Sequence, residues 1–298
     1  MKNELIATLP TVANEKAVRA MFENPYIDAV RLNTGAYNPF DEFSTVQGLI
    51  ALADECGKVL WIDLKARQLR ITRWAVPDYR CIELNHNISC TLPAKVLLRG
   101  EDPLELVFFE DNRIVVSPPP RHAVGCGQSV NIIGGDLRIL EDLTSQDRRY
   151  IDACRKLGHH RIMLSYVESM EDVKRIQTLL PGVELICKLE TPAGCAAAEE
   201  LAAAGCSLMA ARDDLFLEME RSPKILAALK SIAACDQSAV CASRIFSSLE
   251  RENRVSLSDY EDLMLMVSFG YRRFMLSDTI SERYLDQAVD AWKRFNDV

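Results

Sequence analysis

No stretch of this 298-residue chain stays apolar for the roughly 18–20 residues that a bilayer span requires. The opening Met-Lys-Asn-Glu-Leu also lacks the long apolar segment of a secretory signal. A cytoplasmic protein with no membrane partner is therefore expected. Basic residues are in deficit, 35 Lys and Arg against 43 Asp and Glu for a formal net charge of −8, so nothing points to nucleic acid as a partner. There is no C-x-x-C pair among ten cysteines, and Cys187, Cys206 and Cys241 lie within apolar runs. Reduced, buried thiols are the reading, rather than disulfides or a metal centre. The few histidines, His86, His122, His159 and His160, show no metal-ligand spacing and are expected at solvated surface positions.

What is present is a repeat. Eight times a short apolar run gives way to polar or charged residues, in all but the third repeat with helical periodicity following: Leu5–Pro10, Ala29–Asn33, Val59–Asp63, Arg161–Tyr166, Glu184–Glu190, Ser207–Asp214, Ala239–Arg244 and Arg272–Asp278. These runs are rich in Val, Ile and Leu without alternation, as strands covered on both faces should be. The pattern predicts a (β/α)8 TIM barrel, and the length suits a barrel of roughly 250 residues carrying an insertion. Capping-box spacings at Thr144/Asp147, Ser169/Asp172 and Ser258/Glu261 mark helix starts, and Gly158, Gly205 and Gly270 mark helix ends. The Ala-rich stretch Ala196–Ala204 is expected to be a helix packed closely on the sheet.

The third repeat breaks the rhythm, because no helix appears after Asp63 and Lys65 until about Thr144. Between them, Ile82–Leu84, Val96–Leu98, Leu104–Phe109, Ile114–Val116 and Val130–Ile133 are short β-prone runs with turn signals at Gly100–Pro103 and Glu110–Asn112. A small all-β domain over 70–133 is predicted, inserted after strand 3 of a barrel made of 1–69 and 134–298. Rooted beside strand ends, it would be placed as a lid. Pro118-Pro119-Pro120 reads as a stiff connector.

A parallel barrel keeps its interior for packed side chains, so polar residues at the carboxyl ends of strands gather at the open face. Lys188 and Glu190 project to the same side of their strand by the period-two rule. The next run brings Arg212, Asp213 and Asp214. Glu190 with Asp214 suits a two-carboxylate site for Mg2+ or Mn2+; a salt-bridge network closing the barrel top suits the same spacing. Lys188 beside a cation would face a phosphate or a developing oxyanion, and Arg31 would be a second anion clamp. Ser243 could exchange a proton or cap a helix.

The ordered series Arg31-Leu32-Asn33, Ile62-Asp63-Leu64-Lys65 with Arg70, Gly127-Gln128-Ser129-Val130-Asn131, Ser165-Tyr166-Val167, Lys188-Leu189-Glu190, Met209-Ala210-Ala211-Arg212-Asp213-Asp214-Leu215, Cys241-Ala242-Ser243-Arg244 and Met275-Leu276-Ser277 resembles pyruvate kinase over nearly the whole chain. The resemblance implies Glu190 and Asp214 as the metal ligands, and Lys188 as the group stabilising the transferring phosphoryl and the enolate. It also implies Arg31 and Arg70 as positive groups around phosphates, and Ser243 in the place of a threonine associated with proton delivery. Departures accompany it. Of the positions matching the family's potassium ligands, Asn33, Gly35, Asp63 and Leu64, two have no side-chain oxygen, so the potassium site is expected to be lost. Ala36 stands for a histidine beside the nucleotide, which leaves ADP or ATP binding open, and Asp213 replaces a glycine next to the substrate carboxylate. No segment matches the family's carboxy-terminal effector domain, so regulation of that type is expected to be missing.

Three functions fit these residues. One is a metal-dependent enzyme acting on phosphoenolpyruvate, pyruvate or a related 2-oxo acid through an enolate, with phosphoryl transfer as the parent reaction. The others are a C–C lyase or aldolase on a 2-oxo acid, and a non-catalytic sensing or assembly protein. A homo-oligomer could form through outer helices, although the apolar face of Asp259–Val267 suits the core as well.

Overall fold

The computed structural model describes residues 3–76, 79–98 and 102–297, so Gly100 and Glu101 of the expected turn lie outside the described residues. The chain divides into two compact units, one made of Met1–Leu64 with Arg149–Val298, the other of Lys65–Arg148. The first strands are β1 (Glu4–Thr8), β2 (Ala29–Asn33) and β3 (Val59–Leu64). In the second unit follow β4 (Cys81–Glu83), β5 (Ile88–Ser89), β6 (Ala94–Leu98), β7 (Leu104–Glu110), β8 (Arg113–Ser117), β9 (Val130–Ile133) and β10 (Arg138–Ile139). The first unit resumes with β11 (Arg161–Leu164), β12 (Glu184–Leu189), β13 (Ser207–Ala211), β14 (Val240–Ala242) and β15 (Arg273–Met275).

The eight strands of the first unit close into a parallel barrel in the order β1-β15-β14-β13-β12-β11-β3-β2. Its interior is a layer with one apolar side chain from every strand: Ile6, Ala29, Trp61, Met163, Ile186, Met209, Val240 and Met275. The alternate residues, among them Leu5, Val30, Leu60, Ile162, Cys187, Leu208, Cys241 and Phe274, are buried on the outer face. Both faces are therefore dry, which is why these runs do not alternate. Each larger apolar side chain buried here contributes about 1.5–3 kcal/mol. Two residues further along five of these strands, the same inward direction brings Thr8, Arg31, Asp63, Ser165 and Lys188, all buried. A charged layer thus sits directly on an apolar one.

Several strands end earlier than their sequence runs suggest. β13 stops at Ala211, and Arg212–Glu218 is a helix; β15 stops at Met275, and Asp278–Arg283 is a helix. Ser277 caps the latter, its Oγ accepting from the Ile280 amide at 3.3 Å. The Ala-rich stretch is two short helices, Pro192–Ala196 and Ala198–Ala203. The capping box at Ser169/Asp172 is present, but the one expected at Ser258/Glu261 is formed instead by Ser256/Asp259. Asp259 is buried and also accepts from Ser248, so a tertiary contact selects the earlier start. In that helix, Leu257–Phe269, Leu263 and Met266 pack into the core while Met264 and Leu265 are exposed. Gly270 ends it at φ +117, a backbone region that favours glycine. Among the described residues no helix is long and apolar enough to cross a membrane.

The second unit carries a five-stranded antiparallel sheet, β4-β8-β7-β6-β9, and the antiparallel pair β5/β10. Its core includes Leu69, Ile82, Leu84, Val96, Leu106 and Ile114. It is wider than 70–133, because Asp147 accepts from the amides of Lys65 at 2.9 Å, Ala66 at 3.2 Å and Thr144 at 3.0 Å. His86 corrects a surface expectation: it is buried, with Nε2 2.7 Å from the Ala66 carbonyl oxygen, and burial lowers its pKa. His159, in the first unit, is buried too, while His122 and His160 are exposed.

Candidate active site

The open end of the barrel is built on Asp63, which is fully buried at the end of β3. From β2, Arg31 donates to its Oδ2 through Nε at 2.7 Å and also through Nη2. From β12, the Lys188 ammonium lies 3.6 Å from its Oδ1 and donates to Ser165 Oγ at 2.7 Å. One buried carboxylate thus serves two buried cations. Burial alone would lower the pKa of Lys188, but Asp63 and then Glu190 outweigh it and hold the pKa above its ordinary value.

Glu190 follows Lys188 by two residues and is fully buried. Its Oε2 accepts from the Tyr166 amide at 2.6 Å. Its Oε1 lies 3.1 Å from the Lys188 ammonium and accepts no hydrogen bond from the described residues. Burial pushes the carboxyl up to about 7; Lys188 opposes the shift and the charge of Asp214 adds to it. Asp214 is half-buried in the first turn of the helix Arg212–Glu218. Two carboxylates of this kind are a hard-oxygen donor set that suits a divalent cation. Among the described residues no cluster of three His, Cys, Asp or Glu could enclose a metal, so water or a ligand would complete the shell.

Arg31, expected from sequence as a second anion clamp, is held by internal partners in this structure. Every nitrogen of its guanidinium already donates within the chain, Nη1 going to Thr8 Oγ1 at 3.0 Å and to Asp278 Oδ2 at 3.2 Å. Asn33 is engaged likewise, its Nδ2 2.6 Å from Asp278 Oδ1. Sequence reading named Asp278 only as one strand-end residue among many, and its position 247 residues beyond Arg31 carries no local signal.

Arg212 belongs to a separate grip. It is buried, pairs with both oxygens of Asp262 at 2.7 and 2.9 Å, and donates to the Ser243 carbonyl oxygen through Nε at 3.1 Å and through Nη2. Ser243 and Arg244 both have φ +65, a conformation costly for residues with side chains. The guanidinium holds this turn, and among the described residues no group hydrogen-bonds the Ser243 hydroxyl. Asp213 is exposed and lies 3.9 Å from Arg244 Nε, so a rim cation partly offsets its charge. Arg70 lies in the second unit, where its guanidinium donates to Gln68 Oε1 at 2.8 and 3.1 Å and to the Gly127 carbonyl.

The first unit is therefore a (β/α)8 barrel whose mouth concentrates buried cations and carboxylates. Residues 104–289 match the family model described as pyruvate kinase, barrel domain, and the chain belongs to the pyruvate kinase family. The pyruvate kinase of Corynebacterium efficiens is 26% identical over 316 residues, covering 94% of this chain and 66% of that protein. That of Borreliella burgdorferi is 27% identical over 206 residues, covering 66% of this chain and 43% of that protein. The chain thus spans less than two thirds of the length of these relatives. The crystal structure of Cryptosporidium parvum pyruvate kinase shares the fold, with a TM-score of 0.77 and 20% identity over 99% of this chain and 70% of that one.

Proposed function

We propose that the chain is a divalent-metal-dependent enzyme that handles the enolate of phosphoenolpyruvate, pyruvate or a related 2-oxo acid. The observation that carries the reading is Glu190, a fully buried carboxylate with one oxygen held by Tyr166 and the other 3.1 Å from the Lys188 ammonium and accepting no hydrogen bond from the described residues, under the charge of Asp214. Glu190 and Asp214 would hold Mg2+ or Mn2+, which when bound supplies Lewis-acid polarisation of a 2-oxo or phosphoryl oxygen. Asp63, Asp278, Glu190 and Asp214 act on Arg31 and Lys188 around this mouth, a setting of hard carboxylate oxygens of the kind a divalent cation takes.

Lys188 is the fixed positive charge. Ser165 and Asp63 anchor its ammonium, so it can face a developing enolate oxygen without reorganising. Ser243, with its carbonyl held by Arg212 and its hydroxyl unengaged, is the group to pass a proton to the enolate carbon. Phosphoryl transfer to a nucleotide is the parent reaction of the named relatives. A second reading, enolate chemistry without phosphoryl transfer, such as C–C lysis of a 2-oxo acid, is favoured by the engagement of every Arg31 nitrogen inside the chain.

The test is a pair of assays with Mg2+ or Mn2+: pyruvate formation from phosphoenolpyruvate and ADP, and exchange of the pyruvate methyl protons with solvent deuterium. Transfer supports the kinase, and exchange alone supports enolate chemistry without a nucleotide. Silence in both, with Lys188→Met unchanged in ligand binding, contradicts the enzyme reading and leaves a sensing or assembly role.

A further inference from the structure

We propose that Arg244 is a specificity-determining residue that receives a second carboxylate, so that the 2-oxo acid taken at this barrel mouth is a diacid. This rests on the reading that Glu190, Asp214 and Lys188 hold the 2-oxo acid end of the ligand with a divalent cation.

Arg244 follows Ser243 just beyond β14, at the carboxyl end of the barrel strands, where those three residues also lie. Its guanidinium differs from those of Arg31 and Arg212 in what it touches. Those two are buried and donate to partners within the chain. The Arg244 side chain is 48% exposed, and among the described residues no group accepts a hydrogen bond from it. Its position is nevertheless set. The guanidinium carbon lies 5.3 Å from the centre of the Phe216 ring, a cation–π contact, and Nε lies 3.9 Å from Asp213 Oδ1. Asp213 and Phe216 are three residues apart on the helix Arg212–Glu218, so they share the face along which the guanidinium rests. The backbone beneath it is held as well: Arg244 has φ +65, its carbonyl accepts from the Ser247 amide at 3.3 Å, and Arg212 grips the Ser243 carbonyl.

An arginine oriented by a ring face and a distant carboxylate keeps its N–H fork for an incoming anion. A carboxylate matches that planar fork with two parallel hydrogen bonds. Asp213 adjoins Asp214 in the chain, so the residue that Arg244 faces is the immediate neighbour of a proposed metal ligand. A monocarboxylic 2-oxo acid bound at the cation leaves the Arg244 fork unused, whereas a diacid engages both ends of the site.

The experiment is calorimetric titration of the Mn2+-loaded full chain with 2-oxoglutarate and with 2-oxovalerate, which has the same carbon chain but ends in a methyl group. Wild type is expected to bind the diacid at least about tenfold more tightly than the monoacid. In Arg244→Gln and Arg244→Met that preference is expected to fall to about twofold or less, with 2-oxovalerate and Mn2+ affinities within about threefold of wild type. A wild type that does not prefer the diacid overturns the proposal. So do variants that keep the preference, or that lose both acids equally while their far-ultraviolet circular dichroism stays like wild type. With Mn2+ bound and pyruvate protons exchanging, any of these results leaves the enolate reading standing; absent Mn2+ binding and absent exchange in wild type overturn both.

Discussion

The Tyr166 amide donates to Glu190 Oε2 at 2.6 Å from a backbone with φ +52, a conformation uncommon for a residue with a side chain. The turn after β11 is thereby spent on orienting one oxygen of a buried carboxylate, and the other oxygen, Oε1, accepts no hydrogen bond from the described residues. Strain of this kind persists only where the surroundings enforce it, and here it lies beside the charged layer.

Because burial raises the Glu190 carboxyl to about 7, the folded state holds a proton there that the unfolded chain releases near the ordinary 4.5. The resulting stabilisation is complete below about pH 4.5 and is lost as pH rises through 7. Metal-free wild type should lose on the order of 3 kcal/mol relative to Glu190→Gln between pH 5 and 8, measured by urea unfolding. Parallel stability curves for the two proteins would contradict a raised carboxyl.

Arg212 joins Asp262 to the strained turn at Ser243. Arg212→Met should destabilise the fold by about 3 kcal/mol, since it leaves a carboxylate and a carbonyl without their buried donor. Proton exchange from pyruvate should fall further than stability explains, with kcat reduced and KM little changed. A variant that lost stability but kept kcat would show that the grip on Ser243 has no catalytic consequence.

The helix Leu257–Phe269 offers a direct contrast between two serines. Ser256→Ala removes the observed capping side chain and should cost about 1 kcal/mol. Ser258→Ala should stay within about 0.5 kcal/mol, as an exposed position whose neighbour performs the capping. Equal costs from thermal unfolding would place the helix start differently.

The barrel was legible because its strands are dry on both faces, and because a step of two residues carries Ile186 to Lys188 and Trp61 to Asp63 along one direction. The same step brought Lys188 and Glu190 to one side. What escaped depended on distant partners. Nothing near Arg31 announces Asp278, nothing near His86 announces the Ala66 carbonyl, and the choice of Ser256 over Ser258 turns on Ser248. The residues closing the sixth and eighth runs, Arg212 to Asp214 and Ser277 with Asp278, begin helices, a boundary that apolar runs alone do not mark.

The central claim is that Glu190 and Asp214 hold one divalent cation beside Lys188. Mn2+ titration followed by electron paramagnetic resonance at pH 8 tests it most directly. The expected result is one bound ion in wild type, at least about tenfold weaker in Glu190→Gln and in Asp214→Asn, and weaker in wild type at pH 5, where Glu190 holds its proton. Mn2+ binding that is absent from wild type, or unchanged in both variants, would contradict the account.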